Sequence, residues 1–157
     1  MSSIPDRRHL EYARGYIELG MVAEATHELE AIASEARMST EALRVWVDLH
    51  MESKQWNQVV AAAKPVCEAT PKDFGAWIAW AYALRELQQV KEAQAVLLRA
   101  EPLHSTNCAV LHYNLACYEE RWGNLTVARQ CVQAAIQLNS AIKKNARQDP
   151  DLAELWN

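Results

Sequence analysis

A turn signal recurs along this chain at an almost constant interval. It falls at Gly20, Lys54, Gln88 and Gly123, so the intervals are 34, 34 and 35 residues. Small apolar residues stand seven positions before and five positions after each turn: Ala13, Val47, Ala81 and Ala116, and then Ala25, Val59, Ala93 and Ala128. A repeat of this length buries its apolar face only by stacking on its neighbours. The period therefore predicts stacked helical hairpins.

Other apolar positions keep the same register. They lie eight before, nine after and twelve after the turns: Tyr12, Trp46, Trp80 and Leu115; Leu29, Ala63, Leu97 and Val132; Ile32, Val66, Ala100 and Ala135. These offsets place one apolar stripe on each helix. Only 4 Gly and 5 Pro interrupt the 157 residues, and helices would begin at Ser39 or Thr40, at Asp73 and at Asn107. An all-α chain is predicted.

Over about residues 6–140 the pattern resembles the tetratricopeptide repeat family. The best matches are Trp77 and Trp80-Ala81 in the third unit and Leu115-Ala116 in the fourth, whereas Lys54 takes a glycine position. The resemblance implies a right-handed superhelical α-solenoid of about four helix-turn-helix repeats. We expect a single domain, 1–157, with repeats near 6–39, 40–73, 74–108 and 109–140.

The tail, residues 141–157, is expected to cap the last repeat. Asp149-Pro150 is typical of a helix start, and Leu152, Leu155 and Trp156 would form the buried face of a short capping helix. Alternatively the tail opens a fifth repeat, whose turn would fall near Asn157. Pro150 weighs against that continuous helix.

Composition argues against several classes of function. The net charge of −4 and the pI near 5.7 are unlike those of most nucleic-acid-binding proteins. Residues 1–8 lack the uninterrupted apolar core expected of a signal peptide, and no window approaches the roughly 20 apolar residues that would span a bilayer. We expect a cytoplasmic protein that binds neither nucleic acid nor membrane.

Catalytic and metal-binding patterns are also weak. Cys108 and His112 are four apart, but zinc needs three or four protein ligands, and His104 is the only nearby addition. Cys117 has no signature of a nucleophile paired with His112 or His50. The 4 glycines form no phosphate loop. We expect no enzyme activity, no cofactor and no metal.

In the resembling family the first helix of each repeat lines a concave groove, through positions thirteen, ten, six and three before the turn. Those positions hold Arg7, Leu10, Arg14 and Ile17; Glu41, Arg44, Asp48 and Met51; Gly75, Ile78, Tyr82 and Arg85; Val110, Tyr113, Cys117 and Glu120. The candidate partner-binding residues among them are Arg14, Arg44, Asp48, Ile78, Tyr82, Arg85, Tyr113 and Cys117. Tyr82 and Tyr113 are the expected anchors, because tyrosine offers a large apolar area with a polar tip. The tyrosines could instead pack between helices, and the arginines could form solvated ion pairs.

The function expected from this resemblance is that of an adaptor, which binds a partner peptide or helix without catalysis. Asp48, Ile78 and Tyr82 replace the cationic and amide residues with which some family members bind the C-terminal carboxylate of heat-shock chaperones. One alternative is a structural scaffold that self-associates through Trp156 or the N-terminal edge, as a weak homodimer rather than a monomer. Another is a small bacterial chaperone of secreted substrates.

Overall fold

The computed structural model describes residues 4–104 and 108–157, and within them the chain is helical, without strands. The elements are α1 (Asp6–Glu18), α2 (Val22–Glu30), α3 (Thr40–Glu52), α4 (Trp56–Ala69), α5 (Phe74–Glu86), α6 (Val90–His104), α7 (Ala109–Arg121), α8 (Leu125–Leu138), α9 (Ile142–Gln148) and a 3₁₀ helix (Pro150–Trp156). The all-α prediction is confirmed for the described ranges.

The chain divides into two compact units. The N-terminal unit is Met1–Gln89 and the C-terminal unit is Val90–Asn157, so the boundary follows the turn at Gln88. In the N-terminal unit α1 packs on α2 and α3, and α3 packs on α4 and α5. In the C-terminal unit α7 packs on α6, α8 and the 3₁₀ helix. Each unit has a hydrophobic cluster of its own, around Leu29 in the first and Val132 in the second.

The recurring turn residues share one backbone conformation. Gly20, Lys54, Gln88 and Gly123 have φ angles of 72°, 55°, 63° and 79°. The N–H of each donates to the carbonyl three residues earlier, and the N–H of the following residue donates to the carbonyl five residues before it, at 2.8 to 3.2 Å. This paired arrangement is the Schellman motif, in which a left-handed residue ends a helix. The repeated turn signal is therefore a repeated helix stop.

The apolar register is confirmed with one exception. Every residue seven before, five after, nine after and twelve after a turn is buried. Eight before the turns, Trp80 and Leu115 are buried and Trp46 is partly buried, but Tyr12 is 45% exposed. The expectation for Tyr12 was wrong because no helix among the described residues precedes α1 to cover it.

Helix starts follow the expected caps where these are described. The Ser39 and Asp73 side chains accept hydrogen bonds from the amides of Ala42 and Ala76, at 3.2 and 3.3 Å. Asn107 lies outside the described residues. At the start of α7 the Cys108 thiol accepts from the Leu111 amide at 3.3 Å. Side chains that accept hydrogen bonds from the free amides therefore lie at the starts of α3, α5 and α7.

The second helix of the first repeat is short. α2 ends at Glu30, and an irregular segment follows it as far as Ser39. The Arg37 guanidinium donates to the carbonyls of Glu30 and Ile32, the latter at 2.8 Å. These bonds satisfy carbonyls that a continuing helix would have used. Ile32 remains buried although it lies outside the helix.

The C-terminal segment, residues 141–157, packs on α7 and α8 through α9 and the 3₁₀ helix. Asp149 caps the 3₁₀ helix by accepting from the Asp151 amide at 2.9 Å, and Pro150 occupies its first turn. Leu152 and Leu155 are buried as expected. Trp156 is 40% exposed, so its prediction as a core residue was wrong. Its indole N–H donates to the Ala146 carbonyl at 3.0 Å, which holds the ring at the edge of the cluster.

Candidate functional site

An open groove of about 680 Å³ runs over the first helices of the N-terminal unit. α1, α3 and α5 each contribute to it, because consecutive first helices lie side by side. Its lining residues are Arg14, Ile17 and Glu18 from α1, Asp48, Met51 and Glu52 from α3, and Gly75, Ile78, Ala79 and Tyr82 from α5. The groove is therefore a product of the repeat register.

Most of the lining coincides with the positions selected from the sequence. Among the candidate partner-binding residues, Arg14, Asp48, Ile78 and Tyr82 come together here. Glu18 and Glu52 were missed. Both lie two positions before a turn, where Glu86 also stands in the third repeat, so a recurring acidic position was the signal that could have found them.

The floor of the groove is apolar. Ile17, Met51 and Ile78 are partly buried there, and Tyr82 is 41% exposed. Trp56 meets the Tyr82 ring edge-on, with centroids 5.6 Å apart, and this contact orients the tyrosine. At Gly75 an added methyl group would meet only the Asp73 carboxylate, at an ordinary 3.6 Å. Alanine would fit there, so steric room does not require the glycine.

The polar residues of the groove are mainly acidic. Glu18, Asp48 and Glu52 face one cation, Arg14, whose guanidinium lies 3.8 Å from the Glu41 carboxylate. Desolvation raises the pKa of the Asp48 carboxyl, with the charge of Asp73 adding to the rise and Arg14 opposing it. Folding therefore disfavours the charged form of Asp48, and Arg14 offsets this effect only in part.

Arg44 has partners within the chain. Its guanidinium forms an ion pair with the Asp73 carboxylate and donates to the Thr70 hydroxyl at 3.4 Å. It lines a smaller depression of about 210 Å³ with Asp48 and Gly75, beside the main groove. Arg85 is partly buried on α5 and is not among the residues that line either depression.

In the C-terminal unit the corresponding face of α7 is covered by the C-terminal segment. The Tyr113 hydroxyl donates to the Asp149 carboxylate, and the Glu154 amide donates to the Glu120 carboxylate at 3.1 Å. Cys117 is buried in one cluster with Leu152 and Leu155. Burial, the hydrogen bond and the nearby negative charges raise the pKa of the Tyr113 hydroxyl. The chain's own tail thus occupies the surface that Tyr113 and Cys117 were expected to offer a partner.

Within residues 4–104 and 108–157, no three His, Cys, Asp or Glu side chains gather as a metal site requires. Burial raises the pKa of the Cys108 and Cys131 thiols, which disfavours the reactive thiolate. In the same part of the chain, no helix combines the length and apolar character needed to cross a membrane.

No protein-family model matches this chain. No curated protein sequence matches it either.

Solved structures, in contrast, match most of the chain. Residues 41 to the end of MamA from Desulfovibrio magneticus RS-1 align with a TM-score of 0.78 and 18% identity, over 96% of this chain and 82% of that one. Another MamA crystal structure aligns with a TM-score of 0.77 and 12% identity, over 88% of this chain and 81% of that one. The structure of MamA MSR-1 aligns with a TM-score of 0.74 and 22% identity, over 88% of this chain and 79% of that one. The similarity is one of fold: the chain shares with these structures an all-helical architecture of the tetratricopeptide type.

Proposed function

We propose that this chain is a non-enzymatic interaction module that binds a segment of a partner protein in the groove of α1, α3 and α5. The observation that carries the proposal is the open groove of about 680 Å³, built from equivalent positions of three successive first helices. Each helix supplies an apolar side chain to its floor: Ile17, Met51 and Ile78. A row of this kind suits a peptide or helix that extends across several repeats.

Tyr82 is the proposed anchor of the partner. It is exposed in the groove while its ring is held by Trp56, so little side-chain freedom remains to be lost on binding. Rigid, partly exposed aromatic residues are common among the side chains that dominate binding energy. Arg14, Asp48 and Ile78 complete the proposed site, and Arg44, paired with Asp73, lines the smaller depression beside it.

The lining chemistry favours binding over catalysis. The groove residues include three carboxylates and one guanidinium but no His, Cys, Ser or Lys. Nucleophilic catalysis requires an activated side chain with a base beside it. A cytoplasmic location is part of the proposal, because Cys67, Cys108, Cys117 and Cys131 are free thiols, which suits a reducing compartment.

The proposal is tested by capture of partners from cell lysate with three immobilised proteins: the wild-type chain, Tyr82→Ala and Tyr12→Ala. Tyr12 is the matched control, since it is exposed to a similar extent on α1 but does not line the groove. A protein that the wild type and Tyr12→Ala retain and Tyr82→Ala loses is the expected result. Equal retention by all three would contradict the groove assignment.

Self-association is the second candidate function. Ile4, Tyr12 and Leu19 at the N-terminal edge are 47%, 45% and 73% exposed, and exposed apolar side chains of this kind favour contact between copies. A weak homodimer would show a molar mass that rises with protein concentration in light scattering. A constant monomer mass over that range would exclude this candidate.

A further inference from the structure

Charge distinguishes the groove of the N-terminal unit from an ordinary apolar depression. Glu18, Asp48 and Glu52 are exposed residues of its lining. Arg14 is the one cation among the lining residues, and Glu41 already lies within 3.8 Å of it. Negative charge therefore predominates at a surface where a partner would exclude water.

Two cations near the groove, Arg44 and Arg7, are already paired with carboxylates. Arg44 is paired with the Asp73 carboxylate and bonded to Thr70. Arg7 pairs with Glu11 along α1 at 3.4 Å. Partial desolvation opposes ionisation of Asp48 and raises the pKa of its carboxyl. A cation that a partner places next to this carboxyl would favour its charged form.

The apolar floor places a second condition on the partner. Met51, Ile78 and Tyr82 provide an apolar surface next to the carboxylates. Lysine and arginine combine a long aliphatic stem with a charged end, so they can cover such a surface and reach the acidic edge. The face of Tyr82 can also attract a cation.

We propose that this groove selects a peptide segment in which apolar residues are combined with lysine or arginine. The inference rests on the proposed function and adds the chemistry of the partner. The chain's own C-terminal segment offers the contrast, since its residues 149–154 include three carboxylates, and it packs on α7, where Tyr113 donates to Asp149. An acidic segment of that kind would meet like charges at Glu18 and Glu52.

The test selects peptides from a random phage-displayed library on the immobilised full-length chain. The double variant Glu18→Lys, Glu52→Lys is selected in parallel. Its matched control is Glu35→Lys, Glu68→Lys, which changes the net charge equally at exposed residues outside the groove. Circular dichroism verifies that every variant keeps its helix content.

The wild type and the control are expected to enrich peptides rich in lysine or arginine and apolar residues, and the groove variant to lose them. A synthetic peptide from that pool should bind the groove variant about tenfold or more weakly, and increasing salt should weaken its binding to the wild type. Enriched peptides that lose binding to the Tyr82→Ala variant but have no excess of lysine or arginine would overturn the charge inference. They would leave the groove as a binding site. If no peptide depends on Tyr82, both proposals fail.

Discussion

At the residue scale, the four turns combine one backbone conformation with two kinds of residue. Gly20 and Gly123 adopt positive φ angles without a steric penalty, whereas Lys54 and Gln88 do so with a Cβ atom. All four nonetheless form the same pair of helix-ending hydrogen bonds. The hydrogen bonds and the packing on either side of the turn therefore determine the conformation, and glycine only lowers its cost.

Substitutions at the turns should change stability in opposite directions. Lys54→Gly and Gln88→Gly are each expected to stabilise the chain, and Gly20→Ala and Gly123→Ala to destabilise it, by about 1 kcal/mol. Urea unfolding followed by circular dichroism measures the difference. Gly15 is the control, since it lies inside α1 with open space around it, and there Gly15→Ala should stabilise by about 1 kcal/mol. If Gly15→Ala and Gly20→Ala changed the free energy of unfolding in the same direction, the assigned turn geometry would be contradicted.

The Asp48 carboxyl should make stability depend on pH. Its pKa is raised on folding, mainly by desolvation, so the folded state binds its proton more readily than the unfolded state. The resulting destabilisation is absent below the ordinary pKa of 3.8 and is fully present above the raised value. Asp48→Asn should therefore be more stable than the wild type at pH 7, and this advantage should vanish as the pH falls toward 4. A difference in urea midpoint that does not change with pH would contradict this cause.

At the element scale, the C-terminal segment covers one face of the last helical pair. α9 and the 3₁₀ helix bury Ala146, Leu152 and Leu155 against α7 and α8. Without them Ala116, Cys117 and Val132 would lose apolar neighbours. The segment thereby covers an apolar face on which a further repeat could otherwise stack.

Two residues of the 3₁₀ helix should therefore differ in importance. Leu152 is fully buried, so Leu152→Ala should reduce the free energy of unfolding by about 3 kcal/mol through the cavity that it leaves. Trp156→Ala should cost only about 1 kcal/mol, although tryptophan is larger, because the ring is partly exposed. Thermal and urea unfolding measure both values. A larger loss for Trp156→Ala would show that the tail packs in another register.

At the scale of the whole molecule, the chain consists of two compact units with separate hydrophobic clusters. In repeat proteins each element is stabilised by its nearest neighbours, so a local defect need not unfold the entire chain. Ala128, which is fully buried in the cluster of the C-terminal unit, offers a way to create such a defect.

Ala128→Asp buries an uncompensated charge, and we expect it to cost about 3 kcal/mol or more. Hydrogen exchange should show lost protection in α7 and α8, while α3 and α4 in the N-terminal unit retain theirs. Val127→Asp is the control: Val127 is the adjacent residue and is 43% exposed, so its exchange pattern should match the wild type. Uniform loss of protection along the chain would mean that it unfolds as one cooperative body, and an unaffected α8 would contradict the helix register.

Much of the fold and most of the groove lining could be predicted because both follow from periodicity. Positions such as Ala25 and Ala128 are buried in every repeat, and Arg14, Asp48, Ile78 and Tyr82 line one groove, since equivalent residues of stacked units share a face. Tyr113 and Cys117 lie at equally regular positions, yet the C-terminal segment covers them. Sequence spacing does not show where a non-repeating tail packs.

The sequence by itself determined the helical class, the four turns and the buried stripe, because helix geometry and stacking act through fixed offsets along the chain. Only the tertiary structure decided which candidate side chains are accessible. The hydrogen bond from Tyr113 to Asp149 and the Arg44–Asp73 pair join residues 36 and 29 positions apart, and no local pattern specifies them. Exposure of Tyr12 and Trp156 was decided in the same way, because burial depends on what packs against a residue in space.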